Sequence, residues 1–148
     1  MTYNEVIKEL EALLSNNRMV KTVKNQLPTE WLYKDDQPVF PVACFDVLSG
    51  SLNVGREQVY SLQVFFLDKS GAEAEFERDV LSDMLQVATD LVSVMRGTKR
   101  DYTISDNITF NTIRDKYEDY LAGIEISFEL TAVSDFDGTD APLITPCT

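Results

Sequence analysis

Tyr120-Leu121-Ala122-Gly123-Ile124-Glu125-Ile126-Ser127-Phe128-Glu129-Leu130-Thr131-Ala132-Val133 is the stretch that decides the fold. In an extended chain successive side chains point to opposite faces, so Ala122, Ile124, Ile126, Phe128, Leu130 and Ala132 share one side. Gly123, Glu125, Ser127, Glu129 and Thr131 share the other. Apolar residues alternating with carboxylates and hydroxyls mark an antiparallel strand with one face packed and one face wet.

The packed face needs a cover, and the sequence supplies one upstream. Phe76, Val80, Leu81, Met84, Leu85, Ala88, Leu91, Val92 and Met95 follow helical spacing. A possible capping box at Ser70 and Glu73 precedes them, and Gly97 stands where a helix end takes its C′ glycine. A helix from about Ala72 to Arg96 is expected, with its methionines in the core rather than around a cofactor. A second helix is expected at the N-terminus, where Thr2 and Glu5 have capping-box spacing and Val6, Ile7, Leu10, Leu13 and Leu14 form one stripe that stops at Asn16 and Asn17.

Between and after the helices lie further strand signals. Met19 to Val23 alternates apolar and basic residues like a short strand, and Lys24 to Pro38 is a loop carrying Trp31, Leu32 and Tyr33. Val39 to Leu48 and Gln58 to Leu67 are rich in β-branched and aromatic residues and flank Ser49 to Arg56, a hairpin with an extended, flexible tip. In the second of these strands Tyr60, Leu62, Val64 and Phe66 take one face. Pro41 argues for an edge or a bulge in the first. After a polar loop from Asp101 to Asn107, Ile108 to Ile113 is a strand that joins the last one through a charged turn from Arg114 to Asp119. The expected fold is α+β: a mainly antiparallel sheet of two long hairpins plus a short strand, with two amphipathic helices packed on one face. Residues 1–133 make one domain, and 134–148 a polar C-terminal tail.

Composition narrows the functions. A chain of 148 residues that is 44% hydrophobic and 26% charged is one globular domain. Thirteen basic residues against 25 acidic ones give a net charge of −12, and with a pI near 4.3 a stable, sequence-independent grip on phosphates is not expected. Nucleic acid and anionic membranes are therefore disfavoured as bound partners, although an acidic wall suits a channel through which DNA slides. No apolar run is long enough to span a bilayer, and charged residues interrupt the N-terminal stripe, so synthesis and retention in the cytoplasm are expected. Cys44 and Cys147 are far apart and form no CxxC pair; their redox state is left open.

Catalytic equipment is missing from the sequence. There is no histidine, which removes the commonest general base and the commonest transition-metal ligand. Gly50 and Gly55 bracket a hairpin tip and lack the lysine of a P-loop. Asp135-Phe136-Asp137-Gly138-Thr139 resembles the first motif of the haloacid dehalogenase-like phosphatases, which use the first Asp as nucleophile and the second as acid/base beside Mg²⁺. That family places the motif near the start of a Rossmann-like domain, whereas nine residues follow Thr139 here. A solvated acidic turn is the plainer reading. Asp135, Asp137 and Asp140 also lack the further ligands of a calcium loop. No catalytic residue, cofactor or metal is expected.

Taken end to end, Asn4 to Leu14, Val39 to Leu67, Ala72 to Arg96 and Ile108 to Val133 resemble the tail terminator and tail-completion proteins of tailed bacteriophages. The shared features are the element order, the chain size and the Pro38-Val39-Phe40-Pro41 entry into the first long strand. The resemblance implies a non-enzymatic virion protein. It would form a ring, commonly a hexamer, at the head-proximal end of the tail, capping the tube and joining it to the neck proteins. DNA would pass through its lumen as cargo. Candidate subunit contacts are the hairpin tip with Ser51, Leu52, Asn53, Val54 and Arg56, the loop Gly97 to Asn107 with Lys99 and Arg100, and the tail with Asp135 and Asp137. Arg56, Lys99 and Arg100 are singled out because a few cations in an acidic chain can pair with a neighbouring copy's carboxylates. Two other classes stay open: an acidic protein-binding module of immunity or adaptor type, and a carboxylate-based Mg²⁺ phosphatase acting through Asp135 and Asp137.

Overall fold

The computed structural model describes residues 2–31, 38–53, 57–70, 74–97, 101–114 and 121–133. Their element order is α1 (Tyr3–Ser15), β1 (Thr22–Lys24), α2 (Pro28–Trp31), β2 (Val42–Asn53), β3 (Glu57–Lys69), α3 (Ala74–Gly97), β4 (Tyr102–Ile104), β5 (Phe110–Arg114) and β6 (Leu121–Val133). The fold is α+β, as the alternation and the helical stripes imply. Six strands form one sheet in the order β1-β2-β3-β6-β4, and β5 also pairs with β6. Among the described residues only the β1–β2 pairing is parallel.

β3 and β6 are the spine of the sheet, paired without interruption from Glu57 opposite Val133 to Lys69 opposite Leu121. Ala122, Ile124, Ile126, Phe128, Leu130 and Ala132 are all buried on one face. They pack there with Leu62, Val64 and Phe66 of β3 and with Ala43 and Phe45 of β2. Over this face α1 lays Val6, Ile7, Leu10 and Leu14, and α3 lays Leu81, Met84, Val87, Ala88, Leu91 and Met95. Each large side chain so removed from water stabilises the fold by roughly 1.5–3 kcal/mol before the cost of ordering it. Phe76, in the stripe expected to be core, is half exposed. The α3 helix is 24 residues long, about 36 Å at 1.5 Å per residue. No helix among the described residues is long and apolar enough to cross a membrane.

α1 starts where Thr2 Oγ1 accepts the Glu5 N–H at 3.2 Å and ends at Asn16, whose N–H reaches the Ala12 carbonyl. β1 begins at Thr22, three residues later than the alternation from Met19 indicated. It is held there because the Lys21 and Thr22 N–H groups both donate to the Pro41 carbonyl, at 2.9 and 3.3 Å. Pro41, which follows a cis peptide bond, thus precedes β2 instead of sitting within it. The Lys24 to Pro38 loop contains the single turn of α2, ending at Trp31; Leu32 and Tyr33 lie outside the described residues. So does Glu73 of the supposed capping box, while Ser70 is buried.

The second face is not uniformly wet. Val42, Cys44, Phe65, Leu67, Ile113 and Leu121 form a separate buried cluster there, flanked by Leu27 and Phe40. Beyond it Ser127 and Glu129 are exposed. Gly123 sits at the boundary, where an added Cβ would collide with the Phe66 carbonyl oxygen. The close approach of the two backbones means that any larger residue would force them apart.

Candidate functional site

The hairpin tip is tighter than its composition indicates. Ser49 to Arg56 was expected to form an extended loop, yet β2 remains paired with β3 as far as Asn53 opposite Glu57, leaving only 54–56 between them. Ser-Gly-Ser resembles a turn, but here it continues a strand past a β-bulge between Val47 and Ser49. The extra residue, Leu48, reverses the faces of everything after it. Before the bulge Phe45 and Val47 lie on the helix side, opposite Val64 and Leu62; after it Gly50 and Leu52 do, opposite Tyr60 and Gln58. At Gly50 an added Cβ would strike the Val59 carbonyl, so a side chain there would force the two strands of the arm to shift.

The consequence is an exposed apolar surface on the arm. Leu48 is 54% exposed and Leu52 71%, and both line a groove of about 420 Å³ with Tyr3, Val47 and Tyr60. Tyr3, the first residue of α1, places its ring 6.4 Å from that of Tyr60 at a tilt of 60°, an edge-to-face arrangement of aromatic rings. The Tyr60 hydroxyl donates to Gln58 Oε1 at 2.7 Å. Burial, and then the nearby Glu5 carboxylate, raise its pKa, so it stays neutral throughout the physiological range. From Val47 to Asn53 the arm carries no charge at all, although the chain as a whole stands at −12.

A second groove, of about 590 Å³, lies at the opposite edge of the sheet between α3 and β5, lined in part by Leu85, Val92, Arg96, Ile108, Phe110 and Ile126. Phe110 is half exposed there. Its floor is built deliberately. Arg96 in the last turn of α3 donates to the Ser105 and Asp106 carbonyls, both at 2.6 Å. Ser105 in turn takes the Glu129 N–H on its hydroxyl at 2.8 Å and donates its own N–H to the Glu129 carbonyl at 3.0 Å. Arg114 of β5 approaches Glu77 of α3 at 3.7 Å. The polar stretch Asp101 to Asn107 is therefore not the free loop that was expected: it contains β4, with Tyr102 buried and its hydroxyl donating to Glu9 Oε1 at 3.1 Å.

No protein-family model matches the chain, and no curated protein matches it. What these surfaces can do follows from their geometry. Of the residues singled out from sequence, Ser51, Leu52 and Asn53 are exposed on the arm, and the first two line the first groove. Val54, Arg56, Lys99, Arg100, Asp135 and Asp137 lie outside the described residues, as does Cys147. The structure adds Tyr3, Leu48 and Tyr60 at one edge and Phe110 with Val92 at the other. The signal for Leu48 is its spacing of four from Leu52, which in an unbroken strand would also place both on one face. Among the described residues no group of three or more His, Cys, Asp or Glu side chains is placed to hold a metal ion.

Proposed function

We propose that the chain is a structural subunit of a tailed bacteriophage that forms a ring at the head-proximal end of the tail, caps the tail tube and joins it to the neck. The observation that supports this most is the pair of unlike grooves on opposite edges of one sheet, the first mainly apolar and the second a mixture of apolar side chains with Arg96, Asp106 and Asn107. Self-complementary patches close dimers, whereas two different surfaces on opposite sides join copies head to tail, and such contacts close into rings when the rotation allows. The uncharged stretch Val47 to Asn53 of the arm, with Leu48 and Leu52, is one half of the contact. The groove between α3 and β5, with Phe110 and Val92, receives it in the next copy.

Charge fits the same picture. Copies at −12 repel one another except where charge is absent, and Val47 to Asn53 is such a place. A lumen built from acidic chains gives DNA no foothold, so it passes through as cargo. A hexamer is the order that the family resemblance implies. The test is negative-stain electron microscopy with sedimentation velocity across a concentration series. Closed rings are the expected result, and a protein that stays monomeric at high concentration refutes the reading.

A further inference from the structure

An arm seated in the α3–β5 groove takes a cation out of water. Arg96 lines that groove and is exposed in the single chain. Its two hydrogen bonds, to the Ser105 and Asp106 carbonyls, both come from Nη2, so Nε and Nη1 still have hydrogens to donate. Neither acceptor carries a charge. Asp106 also lines the groove, but among the described residues no ion pair joins it to Arg96. A guanidinium stripped of water without a countercharge opposes association. Whatever fills this groove has to bring a carboxylate.

The arm has no carboxylate between Val47 and Asn53. Asp46 and Glu57 flank that stretch within the sheet, but strand alternation sends both to the second face, away from Leu52. Asp46 in addition accepts the Val47 N–H at 2.9 Å. Glu5 is on the helix side. It stands in the first turn of α1, two residues after Tyr3, and is exposed. Burial first, and then the Glu5 carboxylate, raise the pKa of Tyr60, which places that carboxylate beside the arm, where Tyr60 lies opposite Gly50. Glu9, about one turn further along α1, is already engaged by the Tyr102 hydroxyl at 3.1 Å.

We propose that Glu5 of one copy forms an ion pair with Arg96 of the next when Leu52 enters the α3–β5 groove. The inference rests on the head-to-tail ring and deepens it by naming the charges that orient the contact. Each copy carries an acidic rim beside its arm and a basic one beside its groove. Arm against groove brings opposite charges together, whereas arm against arm sets two Glu5 carboxylates face to face and groove against groove two Arg96 side chains. Within one copy each charge also sits at the helix end that favours it, Glu5 at the start of α1 and Arg96 at the end of α3. A role confined to those helix ends is the competing account, and it acts within whichever chain carries the substitution.

Two complementary variants isolate a single interface for the test. Phe110→Asp keeps its arm and Leu52→Asp keeps its groove, so a mixture joins through one contact whose dissociation constant is measured by sedimentation velocity or mass photometry. Glu5→Gln in the Phe110→Asp chain, which donates the arm, is expected to weaken this dimer about tenfold. Arg96→Gln in the Leu52→Asp chain, which donates the groove, weakens it about tenfold or more. Combined, the two cost no more than Arg96→Gln alone, because one pair is lost only once. Each placed in the opposite chain leaves the constant unchanged. Equal effects from either chain, or losses that multiply when combined, overturn the ion pair while the dimer itself upholds the head-to-tail contact. Parent variants that do not join at all overturn that contact and the ion pair with it.

Discussion

A head-to-tail contact between the arm and the α3–β5 groove makes a sharp demand on mixtures of defective subunits. Leu52→Asp spoils the arm and leaves the groove intact; Phe110→Asp does the reverse. Leu52 is 71% exposed in the single chain, so nearly its whole side chain is available to be buried by a neighbour, a contribution of roughly 1.5–3 kcal/mol. At 1.4 kcal/mol per tenfold, loss of that contact weakens each interface by about 10- to 150-fold, and desolvating the new carboxylate weakens it further. Leu52 is largely exposed and Phe110 half exposed, and neither belongs to the buried core clusters. In sedimentation velocity or mass photometry each variant alone is expected to be monomeric. Mixed in equal amounts, the sound arm of the Phe110→Asp chain enters the sound groove of the Leu52→Asp chain, giving one-to-one dimers and nothing larger. A mixture that remains monomeric, with both variants folded and the unaltered protein in rings, refutes the head-to-tail contact. Rings from either variant alone refute the role of its residue.

Three further expectations concern the fold itself. Burial raises the pKa of Asp68; the Lys69 N–H opposes the shift, and the Asp83 carboxylate adds to it. The native state therefore holds this proton more tightly than the unfolded chain, and stability falls as pH rises past the ordinary carboxylate range. Asp68→Asn should raise Tm at about pH 7, with the gain closing by about pH 3, where the group is protonated in both states. Gly123→Ala pushes a methyl into the Phe66 carbonyl and should cost about 1–3 kcal/mol or more in urea unfolding. Thr2→Ala removes the oxygen that takes the Glu5 N–H and should cost about 1 kcal/mol in the same measurement.

The main outline of the fold was legible because its two strongest periodicities belong to its two largest packing surfaces. The even positions of β6 and most of the stripe on α3 bury one another; the exceptions are on α3, where Phe76 is half exposed and Val87, outside the expected stripe, is buried. Other parts were masked for physical reasons. Tyr102-Thr103-Ile104 is too short to show a period, and its strand character comes from β6 beside it. The second-face cluster had a visible sign, since Val64-Phe65-Phe66-Leu67 is continuously apolar, as strands covered on both sides are. The candidate site was less legible. Leu52 was marked by its place in the polar hairpin tip, but its neighbours Tyr3 and Tyr60 come from distant positions, and the bulge that brings Leu52 to the helix side follows from strand register.

β4 and β5 share the side of β6 away from β3, one opposite Leu130 to Ala132 and the other opposite Ala122 to Ile126, with the segment pinned by Ser105 arching between them. This interruption gives the molecule a built-in directionality. Stacking sheets edge to edge into a fibre needs two continuous rails, and here one rail is cut into pieces of three and five residues. A flank so divided makes a poor template for another copy's strand, so copies crowded at high concentration are steered away from runaway polymerisation.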